Sequence, residues 1–453
     1  MESILFVLGV LLAALGIGLS IGLHEVGHMV PAKRFGVRVP QYMVGFGPTM
    51  WSRHGRETEY GVKWIPLGGY IRMIGMFPPP KGAPDGTAGR GTTGRFQMLA
   101  EEARASAWEE VRPGDENRVF YRLSAPKKVV VMLGGPTMNL LLAVVFFALL
   151  LVGIGIPTPT TTVAEVGRCV PAYMATPEAA AAAVADPSTV RDAPECSDAD
   201  EVSPAVVAGI VAGDRITSIN GQPVEVWTEL TDVTRSSPGE TVVLGLETAT
   251  GPREVEVSMA TAYRPVVDDE GIVGEEIIAT GYIGVTPQTQ YVAQPVSAVP
   301  TVMWDVTVRS AQALLTLPVR VYELAQDMVA GEERDPESPV SVVGVGRISG
   351  EVVAAEEPIK SKVAILISLM ASLNLFLFLF NLLPVLPLDG GHVAGATYEG
   401  ARRTLARWRG QPDPGPVDVS RLLPVSYGVG IMLVAVSSVV ILADVINPIS
   451  IYG

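Results

Sequence analysis

Four stretches of this 453-residue chain contain no Asp, Glu, Lys or Arg: Ile4–Leu23, Val129–Pro157, Val363–Leu388 and Leu422–Ala443. Each reaches the roughly 20 residues that a helix needs to cross about 30 Å of hydrocarbon, and a buried helix of a soluble protein is seldom so long and so free of charge. The absence excludes an ordinary soluble globule and predicts four membrane crossings, in keeping with 48% hydrophobic residues and a mean hydropathy of +0.35. Basic residues are missing ahead of the first run, where only Glu2 precedes it, and no small-residue cleavage site closes it. It therefore reads as a retained helix rather than a secretory signal. A clustered basic face with interleaved aromatics is missing as well, so nothing points to nucleic acid as a partner. Cysteine is confined to Cys169 and Cys196. A disulfide and two free thiols are both open readings, because bridging depends on Cα separation.

What charge there is falls unevenly. The formal net charge is −14, yet Pro31–Lys128 holds 16 Lys/Arg against 9 Asp/Glu and Val393–Arg421 holds 5 against 3, while Thr158–Lys362 holds 12 against 31. Basic loops stay inside, so the first two segments read as cytoplasmic, the third as extracytoplasmic, and both termini as outside. The expected divisions are a first transmembrane helix over 1–30, a cytoplasmic segment over 31–128, and a second transmembrane helix over 129–157. An extracytoplasmic domain follows over 158–290, then an amphipathic helix and connection over 291–362. A third transmembrane helix over 363–392, a cytoplasmic loop over 393–421, and a fourth transmembrane helix with the C-terminus over 422–453 complete the chain.

Within 31–128, Ile65–Met73 is apolar but too short to span, and Gly68 and Gly69 inside it predict a hairpin or re-entrant loop at the membrane surface. Phe77–Gly94 reads as a Pro/Gly-rich linker and Phe96–Trp108 as helical. In the exported region, alternating runs at Thr161–Val166, Arg215–Ile219, Thr241–Thr248 and Glu254–Met259 predict a small β-rich domain. From Thr301 to Val329 an apolar stripe at helical spacing predicts an amphipathic helix with a kink at Pro318.

The chemistry is concentrated in His24-Glu25-Val26-Gly27-His28. Residues four apart share a helix face, so both imidazoles can reach one metal ion, with Glu25 beside them to take a proton from water. Two His nitrogens and one carboxylate suit zinc and leave a fourth position open. The motif closes an apolar run, where His and Glu are costly and mark function. For the third ligand the candidate is Asp389, the only carboxylate between Glu357 and Glu399 and placed at the cytoplasmic end of the third run, on the same side as His28. His392 is a rival.

These motifs resemble known families. Ser203–Gly209 followed by Gly213-Asp214-Arg215-Ile216 and Ile219-Asn220-Gly221 resembles a PDZ domain, a fold that binds an extended chain at a sheet edge. It carries an insertion over 168–201. HEVGH, the GFGP at Gly45–Pro48, PLGGY at Pro66–Tyr70, GGPTMN at Gly134–Asn139 and NLLPVLPLDGGH at Asn381–His392 together are similar to the site-2 protease family. Within it they resemble the bacterial regulator-of-sigma-E protease branch and its actinobacterial relatives, over nearly the whole chain.

The resemblance implies a polytopic α-helical membrane protein of four transmembrane helices, with a membrane-associated β-hairpin and an extracytoplasmic PDZ-like α+β domain. By it, His24, His28 and Asp389 bind Zn2+, Glu25 activates water, and Asn381 steadies the substrate backbone or the developing oxyanion, while Gly68, Gly69 and Tyr70 align an unwound substrate as a strand. It gives no firm role to Asn139. The implied activity is intramembrane hydrolysis of single-pass membrane proteins in the cell membrane, near its cytoplasmic side. The substrates would be anti-sigma factors after a first extracytoplasmic cut, with signal-peptide remnants a second class. The long segment Phe77–Ser124, the insertion, and Ser338-Pro339-Val340-Ser341 depart from the family pattern. Two other readings stand beside this one: a non-proteolytic PDZ-containing membrane scaffold, and a zinc-binding membrane transporter or sensor.

Overall fold

A computed structural model describes residues 2–78, 111–185, 196, 200–267, 273–331, 334–335 and 338–449. The linker beyond Pro78 and the stretch Phe96–Trp108 lie outside the described residues. The chain divides into two compact units, 1–154 with 294–453, and 155–293.

The first unit is helical. Four helices are long and apolar enough to cross a membrane: Glu2–Arg34, Ala125–Ile154, Ile359–Asn381 and Leu423–Ile446, called here the first to fourth spans. Many of their large apolar side chains, such as Leu11, Leu15, Leu141, Ile431 and Val434, are exposed, while Ser20, Asn139 and Asn374 are buried between the helices. Asn374 Nδ2 donates to Ser20 Oγ (3.0 Å) and to Met370 O (2.8 Å). This inside-out distribution suits hydrocarbon, where apolar association drives nothing and small residues with buried hydrogen bonds hold helices together. Gly27 and Gly134 make the closest approach of the first two spans: a Cβ on either would overlap the other's carbonyl oxygen.

Several elements differ from expectation. The third span ends at Asn381, and a new helix opens on Asp389 and runs to Trp408, so the acid begins an element rather than ending one. Pro384 and Pro387 lack the N–H that would carry the helix through. Gly390 and Gly391 let the new helix fold tightly onto the link, since a Cβ at either would overlap the backbone of residues 382–386. Much of the expected 393–421 loop therefore belongs to this Asp389 helix. The connection 291–362 holds a second helix, Val342–Ala354, besides the expected amphipathic one, which runs unbroken from Ala298 to Ala330 through Pro318. The Val342 helix packs on the first span at Gly9, where a Cβ would overlap Ser349 O.

The hairpin expected at the membrane surface is also richer than predicted. Strands Gln41–His54 and Glu59–Arg72 pair parallel through Tyr42 with Tyr60, and each also doubles back. Tyr42 pairs in addition with Ile71, and Tyr60 with Arg53, so four arms lie in the order 69–72, 41–44, 59–62, 51–54. Gly45 (φ 93°) and Gly68 (φ 114°) make the bends, in a region closed to most L side chains.

The second unit is β-rich. Antiparallel strands run in the order Val285–Val292, Ile156–Val166, Arg215–Ile219, Thr241–Thr248, Gly251–Ser258, with a separate pair Ala260–Val267 and Val273–Tyr282. Helices Pro204–Val207 and Trp227–Ser236 cover a core of Val163, Ile216, Leu230, Val242, Leu244 and Val257. Cys169 and Cys196 are bonded, with Cα atoms 6.0 Å apart, which settles the open reading of the two thiols. Residues Pro177–Ala185 of the insertion form a helix on the separate strand pair.

Candidate metal centre

The last three turns of the first span carry His24, Glu25 and His28 on a face turned toward the second span and the Asp389 helix. His28 Nδ1–H donates to Val131 O at 2.8 Å. That bond fixes the tautomer, leaving Nε2 as a lone pair. His24 Nδ1 lies 3.1 Å from the Asn139 side-chain amide, whose nitrogen faces it while Oδ1, buried, has no partner. The two amide atoms are interchangeable by a half-turn. The turned form lets Oδ1 accept Nδ1–H and leaves His24 Nε2 a lone pair too.

Asp389 completes the group. Its Oδ2 stands 3.3 Å from His24 Nε2 and 3.2 Å from His28 Nε2, and the two Nε2 atoms are 3.2 Å apart. Oδ2 is buried without a hydrogen-bond partner. With both imidazoles protonated on Nδ1, three lone pairs converge with no proton among them, an arrangement that repels unless a cation sits at its centre. Donors on a tetrahedral zinc at about 2.0–2.1 Å stand about 3.3 Å apart, which matches the three spacings. The residues present fit a zinc ion. Gly135 forms the floor, where a Cβ would overlap His28 Nε2 and come within 2.7 Å of His24 Nε2.

Glu25 is buried beside this group, and it accepts the backbone N–H of Ile71. The 69–72 arm thus lies along the first span. Gly69 is a tight fit, since a Cβ there would sit 2.9 Å from Ile21 Cγ2 and 3.2 Å from Glu25 Cγ. The Tyr70 ring stacks on Phe46 with centroids 6.3 Å apart, and Lys63 Nζ lies 5.7 Å from its centroid. Among the described residues no strand pairs with the outer edge of this arm.

Asn381 lies outside the cluster: it ends the third span and donates Nδ2 to Leu377 O (3.0 Å). His392 is not one of the converging donors, and His54 is on the surface near Glu59. Sequence reasoning named Asn139 and Gly135 without a role. The signal was present, because an Asn and paired glycines inside a charge-free run have to face protein. The part played by Val131 carries no such signal, since a backbone carbonyl has no residue type.

The model of the peptidase family M50 matches residues 12–412, which takes in all three converging residues. The chain belongs to peptidase family M50. Across its length this M50 chain is similar to the zinc metalloprotease Rip1 of Mycobacterium tuberculosis (strain ATCC 35801 / TMC 107 / Erdman), at 32% identity over 457 residues, covering 99% of this chain and 100% of the relative. Rip1 of Mycolicibacterium smegmatis is 31% identical over 460 residues, with the same coverage. The zinc metalloprotease RasP of Geobacillus kaustophilus is 25% identical over 433 residues, covering 85% of this chain and 88% of the relative. This M50 peptidase is accordingly a zinc metalloprotease of the site-2 protease type, with Zn2+ as its cofactor and four apolar helices in keeping with an integral membrane protein.

Proposed function

We propose that this peptidase cuts transmembrane segments of single-pass proteins, with His24, His28 and Asp389 holding the zinc and Glu25 acting as general base. The observation that carries the reading is the convergence of His24 Nε2, His28 Nε2 and Asp389 Oδ2 inside a bundle of apolar helices. When bound, zinc supplies Lewis-acid polarisation of the scissile carbonyl and acidifies water. Glu25 takes a proton from the attacking water at its carboxylate and returns it to the leaving nitrogen as the C–N bond breaks. Its burial keeps bulk water from competing for that proton.

A helical substrate keeps its carbonyls engaged, so it has to unwind before attack. The outer edge of the 69–72 arm, with Gly69 and Tyr70 in it and Gly68 at its bend, can take the unwound chain as an added strand. That addition lays the substrate along the face holding Glu25. Asn381, at the end of the third span, serves the substrate backbone or oxyanion once its amide leaves Leu377 O.

The excess of acid over base in Thr158–Lys362 supports an extracytoplasmic β-rich unit, and the basic segments flanking the site support a cytoplasmic-side active centre. The unit's strand and helix order supports a PDZ-like domain. It has a cleft of about 200 Å³ between the helix Trp227–Ser236 and residues 281–287, with Arg235 and Arg264 on its walls. Those cations suit the new C-terminal carboxylate of a stub left by an earlier extracytoplasmic cut. No described residue of the insertion lines the cleft. The substrates that fit are membrane-tethered anti-sigma factors, in a regulated two-cut sequence, and signal-peptide remnants.

The test is co-expression with a tagged single-pass substrate truncated outside the membrane, comparing wild type with Glu25→Gln by blot. Loss of cleavage at equal protein level, and block by a membrane-permeant zinc chelator, is the expected result. Persistent cleavage by Glu25→Gln overturns the assignment of the base.

A further inference from the structure

Asp389 is the one converging donor that the first span does not carry, and something has to deliver it. The third span does not carry it on a continuous helix, because the non-helical link 382–388 separates Asn381 from the Asp389 helix. The helix is instead held along its length by the second span. Ten residues beyond Asp389, about 15 Å down the axis, Glu399 Oε2 accepts from Lys128 Nζ at 2.8 Å, with the side chains 2% and 7% exposed. The same oxygen accepts Val417 N–H at 3.0 Å, and Arg403 Nη2 stands 3.2 Å from Oε1. Beside the pair, a Cβ on Gly400 would sit 3.2 Å from Ala125 Cβ, so helix and span are in close contact there.

Lys128 lies one turn before Val131, whose carbonyl holds His28, and two turns before Gly135, the floor of the site. Asn139, facing His24, is one turn further. One face of the second span therefore touches all three donors: His28 through Val131, His24 through Asn139, and Asp389 through Lys128 and Glu399. A buried ion pair is a strict spacer, because separating its members strands charge in a medium that does not solvate it.

We infer that Lys128 and Glu399 are positioning residues whose ion pair sets the Asp389 helix so that its carboxylate meets the two histidines. This rests on the reading of Asp389 as a zinc ligand. The chain contains a second buried pair for comparison: Arg334 Nη1 and Asp444 Oδ1, 2.7 Å apart and equally enclosed, on elements that carry none of the three donors.

The test is the zinc affinity of the full-length protein in detergent, by chelator competition, together with its thermal midpoint. Lys128→Met and Glu399→Met are each expected to weaken zinc binding by at least about tenfold, the range seen when groups behind a metal ligand are removed. Lys128→Arg should bind within a few-fold of wild type, and the double variant Lys128→Met/Glu399→Met should recover part of the loss. Arg334→Met should lower the thermal midpoint and leave zinc affinity intact. Wild-type zinc affinity in Lys128→Met, or an equal loss in Arg334→Met, overturns the inference. Asp389→Ala separates the two levels: if it keeps its zinc, the ligand assignment fails and this inference with it. If Asp389→Ala loses zinc while Lys128→Met keeps it, only the positioning role fails.

Discussion

In the β-rich unit Leu244 and Ile216 are shut away completely, while Arg215 and Glu247 on the same two strands face outward and pair at the surface. In the helical unit Ile431 is 71% exposed and Leu15 59% exposed, yet Asn374 and Ser20 are buried against each other and Asn139 against His24. The two units obey one rule applied to two solvents. Water drives apolar surface inward. Hydrocarbon is indifferent to it, and leaves small residues, hydrogen bonds and ion pairs as the matter that specifies contact. A polar interior is also what hydrolysis needs, so in the helical unit the groups that hold the spans together adjoin the groups proposed to act.

Experiments on both units break or sharpen this contrast. The largest effect belongs to Glu25→Gln, which should lower cleavage by about 10²–10⁴-fold with zinc content unchanged. A drop in thermal midpoint in its place would make that buried carboxylate structural. Next comes Leu244→Ala, expected to destabilise the β-rich unit by about 2–5 kcal/mol, read as an earlier denaturant transition of the full chain. Gly135→Ala should cost zinc affinity more than about tenfold because the new methyl occupies the space between the imidazoles, and metal analysis of the purified protein checks it. Asn374→Ala should cost about 0.6–1.7 kcal/mol in a detergent unfolding series. Smallest is Ile431→Ala on the lipid-facing surface, expected below about 0.5 kcal/mol. A cost like that of Leu244→Ala would mean that another protein surface covers Ile431.

Much of the molecule was legible from residue order. Charge-free runs marked the four apolar helices, since only a segment without charge tolerates hydrocarbon at every position. Period-two alternation marked the strands at Thr241–Thr248 and Arg215–Ile219. The strand pair Ala260–Val267 with Val273–Tyr282 and the helix Val342–Ala354 were missed, because neither stands out by local pattern. The fate of Pro318 and of the 382–388 link shows the limit of reading proline. One chain region continues its helix and the other stops, and the difference lies with two prolines and two glycines folded onto the link in the second case.

By itself the sequence determined which segments are apolar enough to cross a membrane and that His24 and His28 share a helix face, because helical period is a local property of consecutive residues. It also marked Asp389 as the lone carboxylate of its region. Tertiary structure alone decided that Asp389 opens a helix, that Val131 O and Asn139 orient the imidazoles, that the strands Gln41–His54 and Glu59–Arg72 double into four arms, and that Lys128 is buried on Glu399, 271 residues away. Those outcomes depend on how closely two backbones approach at glycines such as Gly27 and Gly134 and on where main-chain carbonyls then point. No pattern of neighbouring side chains encodes that, because the distances involved are set by packing between elements far apart in the chain.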